Sequence, residues 1–274
     1  MSVETSLTEH YTHGGLEAAL LAALAAMGRD VEHLSPADLM GADEFHVGGA
    51  AATQELAAQL GLKPGMTVLD IGSGLGGPAR QLARFGCHVI GIDLTPEYVA
   101  VAASLTRRMG RSEQVAFRQA NADRLEFPDA TFDGVTLLHV GMNVADKAGM
   151  FAAVYKALKP GGFFAIYDVM RAGEGEIAFP MPWSSGPATS FVETPDAYRA
   201  ALAAAGFHIT AERDRGDFAR AFFAAQRARV AEGGPPPISL GLVLGMTGPQ
   251  KIANLGGMIG RGVLAPYEII ARRG

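Results

Sequence analysis

Thr67-Val68-Leu69-Asp70-Ile71-Gly72-Ser73-Gly74-Leu75-Gly76-Gly77-Pro78-Ala79-Arg80 decides the fold. A branched apolar run reads as a buried strand, glycines crowd the next six positions, and helix formers resume at Ala79. A strand, a tight turn and a helix start in that order bring glycines free to take positive φ, and the unpaired N–H groups of a first helical turn, to one spot where a ligand can lie on the backbone. Gly72-x-Gly74-x-x-Gly77 fits the dinucleotide fingerprint, which many glycine-rich turns share. A second strand, His88-Val89-Ile90-Gly91-Ile92-Asp93, ends in a carboxylate 21 positions after Gly72, from where an acid accepts both hydroxyls of a ribose. Asp70, inside the end of the first strand, would repel a pyrophosphate and tolerate a cation, so the expected ribose-bearing ligand is cationic.

Val68 to Gly77 resembles the first motif of class I methyltransferases that use S-adenosylmethionine, and Asp93 matches their ribose-binding acid. Ala120-Asn121-Ala122 before Phe127-Pro128, then Phe132-Asp133-Gly134-Val135, then Leu158-Lys159-Pro160-Gly161-Gly162 follow in the family's order, and the likeness is strongest from Gly49 to Asp168. The resemblance implies S-adenosylmethionine as cofactor, held by Asp70, Gly72, Ser73, Gly74, Asp93, Leu94, Asn121, Ala122 and His139. Asn121 departs from the family, where an aspartate usually receives the adenine amino group. Its amide carbonyl accepts the same bond at a cost of about 1 kcal/mol, and Asp123 is the alternative acceptor if the loop is shifted.

With 274 residues and 49% hydrophobic content, the chain can bury the core of one enlarged α/β domain. A net charge of −5 with scattered Lys and Arg argues against a nucleic-acid surface. The lone Cys87 cannot form an internal disulfide, which suits a reducing, cytoplasmic setting, and it reads as structural. No run reaches the roughly 18 apolar residues of a membrane span, and the alanine-rich stretch Leu16 to Met27 follows Glu4 and Glu9 where a signal peptide would be basic.

Residues 1–48 form an extension before the nucleotide-binding core, with helices expected over Leu16 to Gly28 and Ser35 to Leu39. In small-molecule methyltransferases such an extension resembles a lid, which makes Tyr11 and the stretch Phe45-His46-Val47-Gly48-Gly49 candidates for touching cofactor or substrate; His13 is a further distinctive residue. Packing of Phe45 and His46 onto the core is the competing reading. Residues 49–274 then alternate strand and helix, as a doubly wound sheet requires. Ligands bind at the carboxyl ends of such strands, so Gly72, Asp93, Asn121 and His139 should converge. His139 ends the fourth strand with an ordinary pKa near neutrality, which makes it the candidate base, with contact to cofactor or packing as the alternative; Met142 lies at the same mouth.

Two segments break the alternation, 170–193 and 215–261, and both are expected to cover the substrate. The first holds the only tryptophan, and Phe179-Pro180-Met181-Pro182-Trp183 with Ser190-Phe191 resembles the substrate-covering loop of methyltransferases near the sarcosine and dimethylglycine N-methyltransferases. Trp183 there encloses an amine by cation–π attraction or else fills the loop's own core. The second carries an amphipathic helix, Asp217 to Ala231, with Phe218, Phe222 and Phe223 near one face, the break Gly233-Gly234-Pro235-Pro236-Pro237, and a further helix, Pro249 to Met258. Its helices either cover the pocket, the favoured role, with Phe222, Phe223 and Leu240 to Met246 as pocket residues, or pair two subunits.

The expectation is a seven-stranded, Rossmann-like α/β methyltransferase fold with its last strand antiparallel. Its activity would be transfer of a methyl group to a small molecule, with Tyr11, His46, Met142, Trp183 and Phe222 against the acceptor. An amine nitrogen ranks first as acceptor; oxygen or carbon of a phenol, quinone or lipid-like molecule ranks next. A nicotinamide-dependent oxidoreductase is the rival from another class, disfavoured by Asp70 and by the lack of a Tyr-x-x-x-Lys pair. A binding protein that has lost transfer chemistry is the third reading. No metal is expected.

Overall fold

The computed structural model describes residues 3–12, 14–234 and 236–274; His13 and Pro235 lie outside the described residues. The chain opens with helices α1 (Val3–Tyr11), α2 (Leu16–Ala26), α3 (Pro36–Leu39) and α4 (Gly49–Ala57). The core follows as β1 (Thr67–Ile71), α5 (Gly77–Ala83), β2 (His88–Asp93), α6 (Pro96–Arg108), β3 (Val115–Gln119), β4 (Phe132–Leu138), α7 (Lys147–Ala157), β5 (Leu158–Arg171), α8 (Pro195–Ala205) and β6 (Phe207–Asp214). Helices α9 (Gly216–Gly233), α10 (Leu240–Leu244) and α11 (Gly248–Gly260) intervene before β7 (Leu264–Arg273).

The seven strands make one sheet in the order β3-β2-β1-β4-β5-β7-β6. The strands from β3 to β5 pair in parallel, and β7 runs antiparallel to both β5 and β6. The order reverses beside β1, so the turns after β1 and β4 open one crevice at the carboxyl ends of the parallel strands. Buried branched and aromatic side chains fill both faces of the sheet, with Leu69, Ile71, Val135, Phe164 and Ile166 on one and Val68, Val89, Phe163 and Ala165 on the other. Such two-sided burial explains why these strands read as continuous apolar runs.

Local chemistry accounts for several boundaries. Ser35 and Asp38 form a reciprocal capping box at α3. The Thr194 hydroxyl accepts the Ala197 N–H at 3.2 Å to start α8. Thr95, whose residue type and place before Pro96 suit an N-cap, makes no side-chain cap at α6; its N–H instead donates to Asp93 at 2.9 Å. Strand β5 begins at Leu158, earlier than the glycines of Gly161-Gly162 suggest, because Leu158 pairs with Phe132 before the register shifts to Gly134 opposite Phe163. Among the described residues, no helix is long and apolar enough to cross a membrane. Cys87 is free and buried.

Candidate active site

The turn after β1 is built as its glycines demand. Gly72 and Gly74 hold φ of 68° and 51°, and a Cβ on Gly72 would stand 2.2 Å from Val140. Asp93 ties this turn to β2, its carboxylate accepting the N–H of Gly74 at 2.9 Å and of Thr95 at 2.9 Å. Burial pushes its carboxyl up from the usual range. Two of its lone-pair sites are thus filled, and the others remain for a diol.

These groups border a cavity of about 1660 Å³, lined mostly by apolar groups. Gly72, Gly74, Asp93, Leu94, Asn121 and Ala122 form one wall, and Tyr11, His46, His139, Met142, Trp183 and Phe222 also border it. The expected convergence of Gly72, Asp93, Asn121 and His139 is therefore present. Asp70 and Ser73 lie outside the cavity, contrary to their expected cofactor role. Asp70 is buried beside β4, where one carboxylate oxygen accepts the Thr136 hydroxyl at 2.7 Å and the other has no partner among the described residues. Burial raises its pKa to about 7. The Ser73 hydroxyl is likewise buried with no partner among the described residues; its main-chain N–H donates to the Ile92 carbonyl at 2.9 Å.

Asn121 is committed to its neighbours. Its amide donates to Glu4 of α1 at 2.6 Å and its carbonyl accepts from the Asp123 N–H at 2.9 Å, while Asp123 borders the same cavity. Helix α1 is held over this wall at further points. Tyr11 donates its hydroxyl to Asn143 at 3.0 Å, the His10 ring reaches Ser185 at 2.9 Å and the Pro182 carbonyl at 3.0 Å, and Glu97 accepts the N–H groups of Gly14 and Leu16 at 3.1 Å each.

His139 follows β4 with φ of 57°, rare for a residue with a Cβ, and is fixed by its N–H donating to the Tyr167 carbonyl at 2.7 Å. Its Nε2 is buried without a partner among the described residues, and burial, reinforced by nearby His46, holds its pKa well below the ordinary value. The rings of His46 and Tyr167 lie 5.9 Å and 5.2 Å from it. His46 is buried, with Nε2 donating to the Gly49 carbonyl at 3.0 Å and lying 2.9 Å from the Thr53 hydroxyl. Thr53 in turn donates to Glu44, which also accepts from Gln81 at 2.8 Å. Glu44 stands 3.4 Å from the His46 ring, yet burial wins and lowers the imidazole pKa to about 4, leaving it neutral.

Trp183 is 2% exposed and packs with Met181, Val169 and Leu255. Its indole N–H donates to Ser190 at 3.0 Å and its carbonyl accepts from Asn143 at 2.7 Å. It thus fills an apolar cluster that joins the loop to β5, α9 and α11, and it also borders the cavity. Phe222 and Phe223 meet edge to face 5.6 Å apart at the opposite wall, whereas Phe218 packs beside Gly48 and under the Arg215 guanidinium. Leu240 and Leu244 border the cavity; Met246 is exposed.

Asp168 was not singled out in the sequence. Buried at the end region of β5, it accepts the N–H groups of Val140 and Gly141 at 2.9 and 3.0 Å and the Tyr198 hydroxyl at 2.8 Å, which sets the turn that follows His139. Its signal was available: a carboxylate late in the strand next to β4, the same kind of place that singles out Asp93.

A family model described as a methyltransferase domain matches residues 69–166. The sterol 24-C-methyltransferase of Eremothecium gossypii is 34% identical over 185 residues, 64% of this chain and 49% of that one, so the chain spans about half the length of the curated relative. Among solved structures, phosphoethanolamine N-methyltransferase 2 of Haemonchus contortus superposes with a TM-score of 0.74 at 20% identity, covering 100% of this chain and 60% of the other. Geranyl diphosphate C-methyltransferase of Streptomyces coelicolor A3(2) gives 0.71 at 16% identity, covering 100% and 99%. Residues 69–166 thus match a methyltransferase domain, and they are set in a seven-stranded α/β fold.

Proposed function

We propose that this chain transfers a methyl group from S-adenosylmethionine to carbon of an apolar, lipid-like acceptor. The observation that carries the reading is the cavity, whose volume of about 1660 Å³ exceeds what a single small ligand fills and whose far wall, on α9 and α11, includes Phe222, Phe223, Val230, Ile252 and Leu255. Similarity to a sterol 24-C-methyltransferase supports the same acceptor class. The amine acceptor implied by the Trp183 loop is the weaker reading, because that indole is committed to an apolar cluster with α9 and α11 and to the Ser190 hydroxyl.

When bound, the cofactor supplies an electrophilic methyl group on a sulfonium. Gly72, Gly74, Leu94 and Ala122 would hold it against backbone, Asp93 would take the ribose hydroxyls, and Asn121 or Asp123 the adenine edge. Helix α1 and the segment around Phe45 to Gly49 would act as a lid that excludes water, with Tyr11 closing the cofactor's end. His139 and His46 are neutral imidazoles at the wall, and either can accept a proton that a methylated carbon must lose. Met142 and Phe222 would pack against the acceptor.

Calorimetry with S-adenosylhomocysteine tests the cofactor site. Asp93→Asn should weaken binding at least about tenfold, and an unchanged dissociation constant would sink the assignment. Transfer of labelled methyl to a panel of isoprenoid and sterol alkenes, against glycine, sarcosine and dimethylglycine, tests the acceptor. Product from the amines alone would overturn the carbon reading. On a productive acceptor, His139→Ala should cut kcat about 10²-fold if it is the base; a raised KM with kcat intact would place it in binding.

A further inference from the structure

We infer that the acceptor is an amphiphile: its apolar body fills the half of the cavity walled by α9 and α11, and an anionic end group, carboxylate or phosphate, sits at the mouth against Arg227, with Arg229 adding positive charge from the other flank of α9. This deepens the apolar-acceptor reading above and rests on it.

The charges at the cavity are unevenly divided between its walls: the nucleotide-binding side contributes four acids and one base, Arg124, and the inserted helices contribute bases alone. The acidic residues that border it, Glu4, Glu44, Asp93 and Asp123, all come from the extension and the nucleotide-binding core, the side suited to a cationic cofactor. Helix α9 contributes Arg220, Arg227 and Arg229, and no acid of the 215–261 segment borders the cavity. That segment carries six basic residues and two acidic ones inside a chain of net charge −5, so its sign runs against the rest of the molecule.

Helical spacing explains the layout. At 100° per residue, Phe223 and Val230 form the centre of the cavity-facing side, Arg220 and Arg227 one flank and Arg229 the other, all within about 14 Å of helix. Phe223 is buried, while Val230 is 42% exposed, and Met40 across the opening is 63% exposed. The apolar interior therefore gives way to solvent beside Arg227 and Arg229. Arg220 is spoken for by Asp217. Arg229 donates only to the neutral Gln226, and Arg227 forms no hydrogen bond or ion pair among the described residues. A guanidinium at the mouth of an apolar pocket suits a carboxylate or phosphate, which it can engage through two parallel N–H bonds.

The test is calorimetry on the full chain saturated with S-adenosylhomocysteine, titrated with oleate, oleyl phosphate and oleyl alcohol below their aggregation limits. At least one of the two anions should bind about tenfold or more tightly than the alcohol, and which one does identifies the end group. The preference should shrink as salt rises. Arg227→Gln with Arg229→Gln should bring anion and alcohol within about twofold of each other, leaving affinity for the alcohol and for S-adenosylhomocysteine unchanged, which also certifies the fold. Equal binding of anion and alcohol to the unmodified chain, or an undiminished preference in the double variant, would overturn the inference. Failure of all three probes to bind a chain that still binds S-adenosylhomocysteine would overturn the apolar-acceptor reading, and this inference with it.

Discussion

Single residues here carry burdens that their positions in the sequence only half disclose. Asp70 reads as a cofactor contact, yet it is a buried carboxyl with one hydroxyl partner, raised to about 7 by burial. A folded-state value above the unfolded one means that its contribution to stability is complete below pH ~4 and is lost as pH rises through about 7. The neutral imidazole of His46 acts with the opposite sign: its contribution is present above the ordinary histidine value and is lost as pH falls through about 4. Asp70→Asn keeps the shape and the Thr136 contact while removing the titration. The variant should therefore gain at least about 3 °C in Tm relative to the parent between pH 6 and pH 8 by scanning calorimetry, the equivalent of about 1 kcal/mol. Parallel pH profiles for the two chains would show that Asp70 titrates normally. The glycine pattern and Asp93 were legible because turn geometry and strand-end placement both leave marks in sequence. The burial of Asp70 and Ser73 was not, because a one-residue change in which side of the strand end a side chain takes leaves none.

At the scale of elements, β1 and β2 fall where the apolar runs place them, since strands buried on both faces need unbroken branched residues. Helix α1 escaped the sequence reading: the short run Val3–Tyr11 is mostly polar, which leaves little apolar patterning to mark it, and it is placed by side-chain bonds to distant loops, through Glu4, His10 and Tyr11. The loop between β5 and α8 shows the converse. Its composition marks it as functional, but its tryptophan joins the loop to α9 and α11 as a shared apolar cluster. Trp183→Ala should cost about 3–5 kcal/mol and lower Tm by on the order of 10 °C, with Trp183→Phe losing only about 1 kcal/mol with the Ser190 bond. A small Tm change in the alanine variant together with a large loss of acceptor affinity would return Trp183 to the role of a substrate wall.

For the whole molecule, the sheet's carboxyl edge makes half of a cavity and the inserted helices make the other half, and only the first half was legible in motifs. Insertions are read from sequence as breaks in alternation, which gives their place and not the surface they turn inward; the arginines of α9 look scattered until the helix aligns them. The two halves should therefore be separable. Gly257 of α11 borders the insertion side, and a Cβ there meets nothing nearer than the Arg261 guanidinium at 3.5 Å, so a side chain enters the cavity without forcing the helix. Gly257→Trp should leave Tm equal or higher, because glycine is a poor helix residue, and should leave S-adenosylhomocysteine affinity within about twofold. Binding of an apolar acceptor or of oleate should fall at least about tenfold, since the indole takes the volume it needs. Equal loss of both ligands would mean that the cofactor spans both halves, and that the insertion belongs to its site and not to the acceptor's.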